Sequence, residues 1–274
     1  MLISKGEQMT RTADSMVWVV LDHLMSDYSR ARQIVETVGH LPVVAGFVIH
    51  VNTYYAYTLP VLRKPLAGEL MVAIRELGKL VWIDDRPHLQ SNTRDFMTWV
   101  GRVAENDYVA ALAVSGEMHP TCLEWATGQF QGGDQECILV VDTGVPGLFD
   151  DDLFSVSKTT GYSWKEPGSR ALHYALKAKW AGVTKLFCSG QDLIGLSEMT
   201  ALAGCQKIVP VQPGWRYADL TGLVTPAFAL SLGADQLMID IDPYTNPLIA
   251  IEEVTAEIEH SLSMRTRLEP ALVA

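Results

Sequence analysis

The feature that most constrains this chain is a series of short, almost continuous apolar runs. They are Met16–Leu21, Val43–Val51, Leu80–Ile83, Tyr108–Val114, Cys137–Val141, Lys185–Cys188, Lys207–Val211 and Gln236–Ile239. A strand with one wet face alternates apolar and polar residues. A nearly continuous run is expected where both faces are covered, as in a parallel sheet. Between the runs lie segments with helical spacing. Tyr28–Val38 places Ala31, Ile34, Val35 and Val38 on one face. Pro60–Leu77, Phe96–Ala104, Pro120–Thr127, Ser169–Ala181, Leu193–Leu202, Pro226–Leu232 and Ile249–Leu262 follow. Alternation of this kind predicts βα units. Eight of them within 274 residues predict a single (β/α)8 TIM barrel. An open, doubly wound sheet is the alternative, because closure leaves no mark in a sequence.

The barrel is expected over 16–262, with a flexible arm at 1–15 and a tail at 263–274. The connection at 143–168 is long and punctuated by Gly and Pro. Such loops are functional or plain surface insertions. The formal net charge of -11 argues against a nucleic-acid or anionic-membrane partner. The polar N-terminus lacks the apolar core of a signal peptide. No apolar run approaches the ~20 residues of a membrane span. Cys122, Cys137, Cys188 and Cys205 show no C-x-x-C spacing and read as buried or free thiols in a reducing compartment. A cytoplasmic protein with a small-molecule substrate is the expectation.

In a barrel the active site lies at the C-terminal ends of the strands. Those ends deliver Asp22, His50, Asp84 with Asp85 and Arg86, Ser115, Asp142, Ser189, Gln212, Arg216, Asp240 and Asp242. One Asp after a strand is often only a turn or a helix cap. Polar groups at nearly every strand end instead favour a polar pocket. Asp84 and Arg86 are two apart and share a strand face. Arg86 stays protonated and suits a carboxylate clamp. Asp22, Asp142 and Asp240 suit a general base or the oxygen ligands of a divalent metal. His50 or His88 can shuttle protons near neutral pH.

These residues resemble the orotidine 5′-monophosphate decarboxylase superfamily, which includes 3-hexulose-6-phosphate synthase and 3-keto-L-gulonate-6-phosphate decarboxylase. The family's A-L-D is Val20-Leu21-Asp22 here, and its G-F-K-x-G is Gly46-Phe47-Val48-Ile49-His50. Its D-x-K-x-x-D-I-P-N-T reads Asp84-Asp85-Arg86-Pro87-His88-Leu89-Gln90-Ser91-Asn92-Thr93. V-C-S is matched by Phe187-Cys188-Ser189, and T-P-G-I-R by Gln212-Pro213-Gly214-Trp215-Arg216. The later T-P-x-x-A-x-x-x-G-A-D is matched by Thr225-Pro226 through Gly233-Ala234-Asp235.

The resemblance implies a TIM barrel, a homodimer and lyase chemistry centred on Asp84. Asp22 would bind a substrate hydroxyl. His88, Asn92, Thr93, Ser189, Gln212, Arg216 and Asp240 would line the substrate site. Mg²⁺ enters as an optional cofactor, because one branch uses it with the equivalent of Asp84. The departures matter as much. The catalytic Lys of the orotidylate branch is Arg86 and its second Asp is Leu89. The second-strand Lys is Val48, and the fourth-strand His falls at about Leu112. The phosphate-binding G-R pair is Asp240-Ile241, followed by Asp242. Carboxylates repel a phosphate dianion. The expectation is therefore a divergent carbon–carbon lyase or decarboxylase for a small, unphosphorylated metabolite. A non-catalytic binding subunit, or a hydrolase or isomerase using the acidic cluster, are the alternatives.

Overall fold

The structure is a computed structural model. It describes residues 14–21, 27–50, 66–84, 93–130, 135–141, 169–212, 223–241 and 245–272. The strands are β1 (Val17–Val20), β2 (Val44–His50), β3 (Leu80–Asp84), β4 (Ala111–Ser115), β5 (Glu136–Val140), β6 (Lys185–Phe187), β7 (Gln206–Val211) and β8 (Gln236–Asp240). All pair in parallel in chain order, and β8 returns to β1 to close the barrel. The open-sheet alternative is thereby excluded. After each strand comes a described helix: α1 (Tyr28–Val38), α2 (Leu66–Glu76), α3 (Thr93–Ala104), α4 (Pro120–Gln129), α5 (Ser169–Trp180), α6 (Gly190–Ser197), α7 (Pro226–Ser231) and α8 (Pro247–Leu272).

Local chemistry starts several of these helices. The Asp27 carboxylate accepts the Arg30 N–H at 3.0 Å and caps α1. Thr225 Oγ1 accepts the Phe228 N–H at 3.2 Å, with Pro226 opening α7. Such caps satisfy donors that a helix N-terminus leaves without partners. The apolar face of α1 then buries Ala31, Ile34, Val35 and Val38 against the outside of the sheet.

The barrel interior is a second, separate core. The strand registers place its side chains in layers contributed by alternate strands. Trp18, Trp82, Ile138 and Ile208 come from the odd strands. Val48, Ala113, Phe187 and Met238 come from the even strands and lie nearer the C-terminal ends. Trp82 meets Trp18 edge-on at 5.4 Å between centroids and Phe187 at 5.9 Å. Small residues make room for this aromatic filling. A Cβ on Gly46 would lie 2.8 Å from Trp18 Cζ3 and 2.3 Å from the Leu80 carbonyl oxygen. The register shifts here: Val17 pairs Val44, but Trp18 pairs Gly46. This bulge brings Gly46, rather than Ala45, beneath the ring.

Several element ends differ from the sequence expectation. Strand β4 begins at Ala111, not Tyr108. Asn106 Oδ1 accepts the Tyr108 N–H at 3.0 Å and bends the chain into a turn before the strand. The expected helix Leu193–Leu202 is instead α6 and a separate 3₁₀ turn at Thr200–Leu202. Helix α8 continues past Leu262 to Leu272. Its apolar periodicity fades after Leu262, but no Gly or Pro interrupts it before Pro270. Ser15, at the end of the expected arm, donates its N–H to the Pro42 carbonyl at 2.8 Å. The 143–168 connection lies outside the described residues.

Candidate active site at the barrel mouth

Two layers lie above the apolar filling. Val20, Asp84, Val140 and Pro210, from the odd strands, form the lower one. His50, Ser115 and Asp240, from the even strands, form the upper one, and Ser189 follows β6 at the same end of the barrel. The same period-two alternation that buries Trp82 therefore turns Asp84 inward. Asp84 is 3% exposed, and it is the one ionisable side chain in its layer. So little exposure leaves the carboxylate poorly hydrated. His50 is its register partner on β2 and is half-buried. Asp240, at the end of β8, is exposed.

The structure places His50, Asp84 and Asp240 at the C-terminal ends of their strands, and Ser189 follows β6 at the same end. Gln212 follows β7 at the same end. Its N–H donates to the Val224 carbonyl at 3.1 Å. Its Oε1 is buried and has no donor among the described residues. Ser189 has a local task. Its hydroxyl accepts the Asp192 N–H at 3.1 Å and donates to Asp192 Oδ2 at 2.8 Å, which caps α6. That leaves it little hydrogen-bonding capacity for a ligand. Thr93 is the first residue of α3. Asp22, Arg86, His88, Asn92, Asp142 and Arg216 lie outside the described residues. Among the described residues, no three His, Cys, Asp or Glu side chains come together to hold a metal ion.

Sequence reasoning did not weigh Lys177 on α5. It is 9% exposed, and its ammonium donates to the Met118 carbonyl at 2.6 Å and to the Gly116 carbonyl. Burial pushes the Lys177 amine down to about 8, while Glu117 pulls the other way. A Lys at the inner edge of an amphipathic helix carries no sequence signal of this. Only the approach of the β4 exit loop reveals it.

Comparison with solved structures agrees with this architecture. The structure superposes on orotidine 5′-phosphate decarboxylase from Lactobacillus acidophilus with a TM-score of 0.63 and 16% identity, covering 89% of this chain and 98% of that one. The fold is that of orotidine 5′-phosphate decarboxylase. A second such enzyme, from Methanocaldococcus jannaschii and complexed with the inhibitor BMP, gives a TM-score of 0.60 and 17% identity over 90% of this chain and 98% of that one. No family model matches the sequence, and no curated protein does. The orotidylate decarboxylase fold therefore carries, in this chain, a mouth with Asp84 on its third strand, His50 beside it and Asp240 on its eighth. No helix among the described residues is long and apolar enough to cross a membrane.

Proposed function

We propose that the mouth is the active site of a divergent, decarboxylase-like carbon–carbon lyase acting on a small, unphosphorylated polar metabolite. The observation that carries the reading is the register pairing of Asp84 with His50 at the floor of the mouth. Adjacent strands lie about 4.8 Å apart, so one reacting carbon can sit within reach of both side chains. Asp84, almost wholly removed from water, disfavours a second carboxylate beside it. Loss of that carboxylate as carbon dioxide breaks the carbon–carbon bond and leaves the electron pair on carbon. The His50 imidazolium then supplies the proton that the family takes from a lysine.

Arg86 is assigned to the substrate's carboxylate or enolate oxygens, and Asp22 to a hydroxyl. Asp142 and Asp240 are the further acid–base groups, and they would offer oxygen ligands if Mg²⁺ takes part. An Asp at the family's phosphate-binding position supports an unphosphorylated substrate. A homodimer in the cytoplasm completes the reading.

The experiment is native mass spectrometry of protein from its own host, followed by assay of any retained metabolite for carbon dioxide release. Asp84→Asn is expected to lower turnover by about 10²–10⁴ while the fold persists. Full turnover by that variant, with an authentic substrate, would refute the assignment.

A further inference from the structure

Lys177 spends its burial on one short loop. Strand β4 ends at Ser115, and the chain turns through Gly116, Glu117 and Met118 before α4. The ammonium holds the carbonyls at both ends of that turn, Gly116 and Met118. The Tyr174 ring lies 4.9 Å from Lys177 Nζ, within cation–π range. It also closes over Gly116. A Cβ there would come within 2.7 Å of the ring and of the Val140 carbonyl oxygen. The Gly116 N–H donates to that same Val140 oxygen at 2.7 Å. The turn is therefore pinned from α5 by a cation and an aromatic face, and from β5 by a hydrogen bond.

Ser115 is what the turn holds. Its Oγ accepts the Glu117 N–H at 3.2 Å, and its carbonyl accepts the Met118 N–H at 3.1 Å. Both donors belong to the turn that Lys177 grips. Ser115 shares the upper mouth layer with His50 and Asp240. Unlike Ser189, its hydroxyl hydrogen has no acceptor among the described residues. A hydroxyl fixed in place, with no acceptor for its hydrogen among the described residues, is suited to a substrate oxygen.

We propose that Lys177 is a positioning residue of the mouth: it fixes the β4 exit turn and thereby holds the Ser115 hydroxyl ready as a donor to bound substrate. This rests on the mouth being the substrate site, but its physical core can be tested without turnover. The groups facing the Lys177 amine are Glu117 from the turn, with His173 and Tyr174 from α5. None of these is a carboxylate hydrogen-bonded to it, so the carbonyls are its anchor.

The test is amide hydrogen exchange, followed by NMR at neutral pH on the full chain. Lys177→Met is expected to speed exchange at Glu117 and Met118 by about tenfold, the cost of losing charged hydrogen bonds. Amides of β1 and β8, across the barrel, should keep wild-type rates. Lys177→Arg, which stays charged, should restore most of the protection. Unchanged exchange at Glu117 and Met118 in the Met variant overturns the proposal. So does equal loosening of the whole barrel, which would make Lys177 a general stability residue. If the Met variant does not fold, the wild-type Lys177 amine is titrated by NMR. A midpoint near 8 supports the buried clamp, and an ordinary lysine midpoint near 10.4 overturns it. If the lyase reading fails but these exchange results hold, the clamp stands as a feature of the mouth without its assigned chemistry.

Discussion

His50 and Asp84 are partners at the last rung of the β2–β3 ladder, one half-buried and the other 3% exposed. Their adjacency follows from two separate strands reaching the mouth with the same inward parity. If they act together on one carbon, removing either should cost far more than a surface contact would. Asp84→Asn and His50→Gln should each lower kcat by about 10²–10⁴, the usual range for an acid–base group. The double variant should be little worse than either, because the two serve one step. Steady-state kinetics on the identified substrate, with circular dichroism to check the fold, would decide it.

The two interior tryptophans should respond differently to Phe. Trp18 Nε1 donates to Gln236 Oε1 at 3.0 Å, whereas Trp82 Nε1 has no acceptor among the described residues. Trp18→Phe loses ring volume and strands a part-buried acceptor. Trp82→Phe loses volume but also removes an unsatisfied donor. Urea unfolding should show Trp18→Phe as the costlier change, by about 1 kcal/mol. Equal costs would mean that the Trp18 hydrogen bond contributes nothing.

Gly46→Ala should destabilise the barrel by about 1–3 kcal/mol, the range for overpacking a full core. The added methyl meets the Leu80 carbonyl oxygen at 2.3 Å, and backbone cannot swing aside as a side chain can. Gly101→Ala, with nothing within 4 Å of its Cβ, is the control. It should be neutral or slightly stabilising, since Ala favours a helix.

Lys177 also predicts a direction for stability against pH. Its folded pKa is depressed from an ordinary value of 10.5 to about 8. Below 8 both folded and unfolded chains carry the proton, and the fold bears the cost of a buried charge. Between about 8 and 10.5 the unfolded chain holds the extra proton, so stability rises with pH. The gain is complete above 10.5 and is lost as pH falls through 8. Relative to Lys177→Met, the wild type should therefore become more stable from pH 7.5 to pH 10. A falling difference in parallel denaturant titrations would contradict the depressed pKa.

Thiol labelling should be selective. Cys137, Cys188 and Cys205 are buried, and Cys122 alone is partly exposed. Burial pushes the Cys137 thiol up to about 12, so almost no thiolate forms near neutral pH. Native protein should take up one alkyl group per chain at Cys122, with the rest reacting only in denaturant.

The sequence by itself determined the order of strands and helices, and with it the end of the sheet at which the polar groups gather. Continuous apolar runs mark strands covered on both faces, and an Asp, His or Gln closing such a run marks where it leaves the core. Asp84, His50 and Asp240 were legible on that ground alone. Closure of the barrel was not, because it depends on β8 meeting β1 across the whole chain. The same continuity also hid which residues face inward. An unbroken run has no apolar–polar alternation to give its parity, and the bulge that carries Gly46 under Trp18 changes the parity within β2. Only the tertiary structure put Asp84 in an otherwise apolar layer with His50 as its neighbour. It also spent Ser189 on capping a helix, and brought Lys177 to the turn behind Ser115. Each of these depends on contacts between distant segments, whose energies act through space and leave no local pattern in the chain.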